Sequence, residues 1–195
     1  MRETTRDNRG IRVKRVGLFI LGTEVTEDLS IGMEFSHLEQ IFGALNEARV
    51  RYLVVGGLAV IAHGYVRYTN DIDLVLHLEE TNVVRAMEVL KGLGYRAKVP
   101  VDPSAFANPQ TRAIWIRDKQ MMVFQLVSER FAREPIDIFV REPFDTEAEW
   151  AACEWLALGP TIRVPVVSRQ KLLAMKREAG RPQDALDISK LEQLP

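Results

Sequence analysis

The segment Asp71-Ile-Asp73-Leu-Val-Leu76 constrains the fold more than any other part of this chain. Two carboxylates alternate with aliphatic residues, and a period of two is the signature of a β-strand. Successive side chains on a strand point to opposite faces. Asp71 and Asp73 therefore share one face, about 7 Å apart along the strand, while Ile72 and Leu74 occupy the other. Carboxylate arms can converge from that spacing onto one divalent ion, or onto two ions about 4 Å apart. Without a cation, two charges this close raise each other's pKa.

A third carboxylate, Asp137, stands in Pro135-Ile-Asp-Ile-Phe-Val140, a second apolar strand. If the two strands pair, it lies about 5 Å from the first pair on the same face. Taken singly, each aspartate also fits a solvated position on a half-buried strand. The apolar neighbours of all three make both strands mostly buried, and unpaired carboxylates are costly there, so a bound cation is the simpler account. A hard oxygen set suits Mg2+ or Mn2+, which keep waters and bind substrate phosphates.

Upstream, the apolar run Tyr52–Val55 ends in Gly56-Gly57, and a short helix over Leu58–His63 follows. Glycine permits close backbone approach, and a helix start offers N–H donors to phosphate. The same pair also fits a plain strand-to-helix turn. Arg67 and Thr69, just before the carboxylates, can reach phosphate or acceptor; Arg67 fits equally well as a surface charge paired with Glu79 or Glu80. His63 and His77 lack ligand spacing and read as structural or solvent-facing.

Around this centre the pattern predicts helix, strand, short helix, strand, helix, a strand cluster and final helices. Ser36-His-Leu-Glu39 reads as a capping box opening a helix to Arg49. Thr81 caps a helix through Leu90, which Gly92 and Gly94 end. Residues 100–109 read as a loop, and Ala113–Ile116 with Met121–Val127 as a hairpin turning at Arg117–Gln120. Phe144–Leu158 reads as a helix with Trp150 and Trp155 toward a core, Ile162–Val167 as a strand, and Ser168 as the cap of Lys171–Glu178. Pro182 suits the first position of a last helix. The expected class is α/β (α+β), a mixed sheet covered by helices. The expected division is a nucleotide-handling domain over 33–195, with a C-terminal helical segment 168–195. It follows an N-terminal appendage, residues 1–32, in which 12–20 would pair with 24–31 as a hairpin.

A length of 195 residues suits one domain, and a net charge of −1 gives no global pull toward nucleic acid. Cys153 is the single cysteine, which excludes an intrachain disulfide and fits a reducing cytosol; it reads as a small buried residue. No segment has the apolar length of a membrane span, and a cytoplasmic protein is expected.

Val55-Gly-Gly57, a gap, then Asp71-Ile-Asp73-Leu and the later Asp137 together resemble the DNA polymerase β-like nucleotidyltransferases. The resemblance implies that fold, with Gly56 and Gly57 holding an NTP triphosphate. It implies metal on Asp71, Asp73 and Asp137, and Asp137 activating an acceptor hydroxyl. Gly-Gly-Leu-Ala-Val-Ile-Ala-His-Gly and Arg67-Tyr-Thr-Asn-Asp-Ile-Asp-Leu are similar to the minimal bacterial group that includes AbiEii-type toxins. In that group a later lysine and acid support nucleotide binding, and Leu172 to Ile188 offers Lys176 and Asp184, with Asp187 as a further candidate. The same segment also fits an amphipathic helical hairpin with a charged outer face. The expected activity is transfer of a nucleoside monophosphate to RNA, such as a tRNA end, or to a protein in a toxin–antitoxin system with a cognate partner. The alternatives are transfer to a small molecule such as an aminoglycoside, for which acidic residues near Glu142–Glu154 would form an acidic pocket for a cationic substrate, and a catalytically silent antitoxin-like module.

Overall fold

In the computed structural model the described residues are four short backbone segments before residue 25 and the continuous stretch 32–194. The first four are β1 (Thr4–Arg6), β2 (Arg12–Lys14), β3 (Phe19–Ile20) and β4 (Thr23–Glu24). β2 pairs with β1, and β3 with β4. The second arm of the hairpin expected over 12–31 lies largely outside the described residues.

Helix α1 (Phe35–Glu47) buries Leu38, Ile41, Phe42 and Leu45, the expected helical stripe. Its start differs from the capping box. The N-cap is Glu34, and Ser36 and Glu39 cap nothing. Glu134, fully buried, supplies the acceptors instead. One carboxylate oxygen accepts from the Glu34 N–H at 2.8 Å and the other meets His37 Nδ1 at 2.9 Å. A distant side chain thus does what a local motif was expected to do.

β5 (Tyr52–Val54) runs into α2 (Gly56–Ala62), so both glycines lie in the helix's first turn rather than before it. β6 (Ile72–Leu76) is the strand expected within the Asp71–Leu76 segment. Helix α3 (Glu80–Gly92) is capped by Glu79, which accepts from the Thr81 and Asn82 N–H groups. β7 (Arg96–Ala97) follows.

The loop and hairpin expected over 100–127 are replaced by a 3-10 turn (Pro103–Ala107), helix α4 (Pro109–Lys119) and one strand, β8 (Val123–Val127). Asn108 accepts from the Gln110 and Thr111 N–H groups, Pro109 sits in the first turn, and Gln120 ends the helix in a left-handed conformation. Buried Arg112 donates to the Phe106 and Ala107 carbonyls, and Trp115 stacks on Phe124 at 5.2 Å.

β9 (Ile136–Phe139) precedes α5 (Thr146–Ala152), β10 (Glu154–Leu158) and β11 (Ile162–Val166). The long helix expected to Leu158 therefore stops at Ala152. Trp150 and Trp155 are only half-buried, edge to face at 5.7 Å, rather than core residues. Helix α6 (Arg169–Ala179), capped by Ser168, and α7 (Pro182–Gln193), opened by Pro182, close the chain around Gly180.

The strands form a mixed nine-stranded sheet in the order β1-β2-β10-β11-β5-β6-β9-β8-β7, seven of them within 32–194. Ile72, Leu74, Phe124, Leu126, Ile136 and Ile138 face the main core. Asp73, Asp137 and Gln125 face the other way. No helix among the described residues is long and apolar enough to cross a membrane.

Candidate active site

β6 and β9 pair in parallel with Asp73 directly opposite Asp137. β8 joins the far side of β9 antiparallel, with Gln125 opposite Asp137. The Lys98 N–H donates to the Gln125 carbonyl at 3.0 Å, which continues the ladder beyond β7. Lys98, Gln125, Asp137 and Asp73 thus form one row across four strands, on one face. Lys98 Nζ donates to Gln125 Oε1 at 2.5 Å, and Gln125 Nε2 donates to Asp137 Oδ1 at 2.7 Å.

Asp73 lies against the glycine turn. Gly56 has φ +62°, and a Cβ there would stand 1.8 Å from Asp73 Oδ2. The Gly57 N–H bonds the Asp73 carboxylate. A Cβ on Gly57 would meet Thr69 Oγ1 at 2.3 Å and Arg67 Nη1 at 3.3 Å. Gly56, Gly57, Arg67, Thr69, Asp73 and Asp137 are therefore neighbours, and Asp71 sits just before β6.

Burial, then the charges of Asp137 and Asp71, push the Asp73 pKa up to about 6, against the Gly57 bond and Arg181. Burial also raises Asp137; the Gln125 bond and Lys98 oppose it, and Asp71 adds to it. Arg181 and Lys98 offset only part of this, and a divalent cation between the carboxylates would correct the remainder. Among the described residues no three His, Cys, Asp or Glu side chains form a closed metal cage. Mg2+ does not require one: it takes one or two carboxylates and completes its shell with water and substrate phosphates. The donor set here fits that pattern.

Arg67 pairs with neither Glu79 nor Glu80. Its guanidinium is bidentate on Asp187, at 2.8 and 2.9 Å. Lys176 is buried between Asp184 at 2.9 Å and Asp187 at 2.7 Å, and Arg181 Nε donates to Asp184 at 2.8 Å. The charged residues of the α6–α7 hairpin thus point inward here, not to an outer face. Burial works to raise both acids, and their bonds to Arg181, Lys176 and Arg67 outweigh it, holding both below the usual carboxylate range. Three cations face two carboxylates, and Arg181 acts electrostatically on Asp73.

Sequence reasoning missed Arg181, Gln125 and Lys98. A polar residue between Phe124 and Leu126 was the available signal for Gln125, and the spacing Arg181-x-x-Asp184-x-x-Asp187, which stacks on one helix face, was that for Arg181. The acidic run at Glu142–Glu154 does not form a pocket at the carboxylates. Glu142 and Glu147 gather at His77, four residues beyond Asp73 and about 13 Å along the strand. Glu142 accepts from the Leu78 N–H and Thr146, Glu147 pairs with Arg51, and buried Glu149 accepts from the Ser168 N–H. His63 is buried with Nε2 on the Val167 carbonyl, as a structural residue would be. Burial pushes the half-buried Cys153 thiol up to about 12, far from a reactive thiolate.

The structure resembles that of the lincosamide antibiotic adenylyltransferase LnuA, solved with lincomycin bound (TM-score 0.53, 17% identity, covering 82% of this chain and 97% of that one). It also resembles ANT(2'')-Ia in complex with adenylyl-2''-tobramycin (TM-score 0.51, 18% identity, 80% and 86%). A Thermotoga maritima protein assigned as a nucleotidyltransferase gives TM-score 0.50 at 14% identity, covering 80% and 89%. At these identities the likeness establishes the fold, that of the polymerase β-like nucleotidyltransferases. No curated protein matches the sequence. Residues 37–191 match the sequence profile of the aminoglycoside-2''-adenylyltransferases. That match spans most of the chain, and this protein belongs to that family of nucleotidyltransferases.

Proposed function

We propose that this protein transfers a nucleoside monophosphate, adenylate by its family, from an NTP to the hydroxyl of a small molecule. The observation that carries the site assignment is the direct pairing of Asp73 with Asp137 beside a glycine turn that leaves no room for a Cβ. In this reading Gly56, Gly57 and Thr69 border the triphosphate, and the excess positive charge of Arg67, Lys176 and Arg181 over Asp184 and Asp187 favours it. Asp71 and Asp73, with Asp137, would hold the metal. Bound there, Mg2+ or Mn2+ would neutralise the triphosphate and polarise its α-phosphorus.

The acceptor oxygen then bonds to the α-phosphorus as the bond to the bridging oxygen breaks and pyrophosphate departs. Asp137 takes the hydroxyl proton. Its Oδ1 is held by Gln125, which leaves Oδ2 for the acceptor. Positioning and charge neutralisation supply the rate in such a site.

The small-molecule acceptor takes precedence over the RNA or protein acceptor of the AbiEii-type reading. The family match favours the former, and no observation favours a toxin–antitoxin partner. The test is incubation with each α-labelled NTP and Mg2+, with hydroxyl-bearing antibiotics and sugars in one arm and total RNA and protein lysate in another. Label from ATP should appear on a small molecule and vanish in Asp73→Asn. Label on RNA or protein alone, or unchanged transfer by the variant, would overturn the proposal.

A further inference from the structure

We infer that Lys98 and Gln125 are positioning residues for the transfer: together they fix which oxygen of Asp137 meets the acceptor hydroxyl, an inference that rests on the site reading above. Asp73 and Asp137 are held in different ways. Asp73 accepts from a backbone donor, the Gly57 N–H, whose direction the chain itself fixes. Asp137 accepts from a side-chain amide, Gln125 Nε2, at 2.7 Å to Oδ1. An amide has a donor end and an acceptor end, and half a turn exchanges them. That half-turn would aim Gln125 Oε1 at Asp137 and release Oδ1 to compete with Oδ2 for the acceptor.

Lys98 closes off that rotation. An ammonium carries donors and no acceptor, and an ionised carboxylate carries acceptors and no donor. Lys98 Nζ meets Gln125 Oε1 at 2.5 Å, so Nε2 faces the other way, toward Asp137. Only this orientation of the amide satisfies both ends of the row. The backbone sets the spacing. Gln125 stands directly opposite Asp137, the Lys98 N–H donates to the Gln125 carbonyl at 3.0 Å, and buried Phe124 and Leu126 anchor β8 on either side. The Lys98 charge also opposes the burial that raises Asp137. With Oδ1 engaged by a donor that cannot turn, the acceptor's proton goes to Oδ2. A positioned general base contributes about 100- to 10,000-fold to a rate, and a base whose oxygens exchange places forfeits part of it.

Lys98 is exposed and Gln125 half-buried, so both can be changed without opening the core. The first test is NMR of the isotope-labelled full chain without metal or nucleotide, reading the Gln125 side-chain NH2 signal, assigned by its loss in Gln125→Leu. Lys98→Arg keeps a head with donors only and should leave that signal in place. Lys98→Glu should move it, because the new carboxylate accepts from Nε2 and turns the amide around. The second test is pyrophosphate release from ATP and Mg2+, with an aminoglycoside or water as acceptor. Gln125→Leu and Lys98→Glu should lower kcat by about tenfold or more and leave the KM for ATP within about threefold, while Lys98→Arg keeps kcat. A row that only stitches the strands together would lower unfolding stability and leave kcat alone. An unmoved NH2 signal in Lys98→Glu, or wild-type kcat in Gln125→Leu, would overturn the inference. Absence of Mg2+–ATP binding by the wild-type chain would instead overturn the site reading, and the NH2 signal is read independently of it.

Discussion

Replacing Asp73 by Asn should stabilise the free protein while destroying its activity. Asp73 is held at a pKa of about 6 by burial and by the charges of Asp137 and Asp71. A carboxyl raised from 3.8 to about 6 carries a penalty of about 3 kcal/mol on its charged form, at about 1.36 kcal/mol per pH unit. Asp73 keeps some solvent contact, which screens the effect to about 1–3 kcal/mol. The sign follows from linkage. A raised carboxyl disfavours the folded state above its folded pKa, and the penalty fades as pH falls through 6 toward 3.8. Asn is nearly isosteric and can still accept the Gly57 N–H. Urea unfolding in metal-free buffer should therefore show Asp73→Asn more stable than wild type at pH 8, with the gap closing as pH falls through 6. Mg2+ with ATP should stabilise wild type and leave the variant unmoved. A variant less stable than wild type at pH 8 would refute the electrostatic reasoning, because it would mean that the carboxylate contributes to the fold.

Two further changes probe neighbouring parts. Gly56→Ala forces a side chain into a left-handed backbone, at about 1–2 kcal/mol, and drives Cβ into Asp73; transfer should fall at least 100-fold while circular dichroism shows a folded protein. Asp187→Ala leaves Arg67 and Lys176 without a buried partner they share and should destabilise by about 3–5 kcal/mol in denaturant unfolding. Loss below 1 kcal/mol would remove the network from the fold's support.

The candidate site was legible where chemistry and period coincide. Asp73 and Asp137 each interrupt an apolar strand, Asp71 stands just before one, and the apolar residues around them are buried so regularly that the carboxylates look out of place. What failed was local. Ala113-Ile-Trp-Ile116 is an apolar run short enough to look like a strand, but Asn108 and Pro109 start a helix there, and only the distant Phe124 shows which face Trp115 buries. The capping box at Ser36 failed for the same reason: Glu134, about a hundred residues away, takes the donors first. The acidic run at Glu142–Glu154 was read as a pocket because charge is visible in a sequence and partners such as Arg51 and the Ser168 N–H are not.

Calorimetric titration of the purified chain with a non-hydrolysable ATP analogue, with and without Mg2+, tests most directly whether these carboxylates form a metal–nucleotide site. Binding should require Mg2+ and disappear in Asp73→Asn. Binding that is equal without Mg2+, or undiminished in that variant, would contradict it.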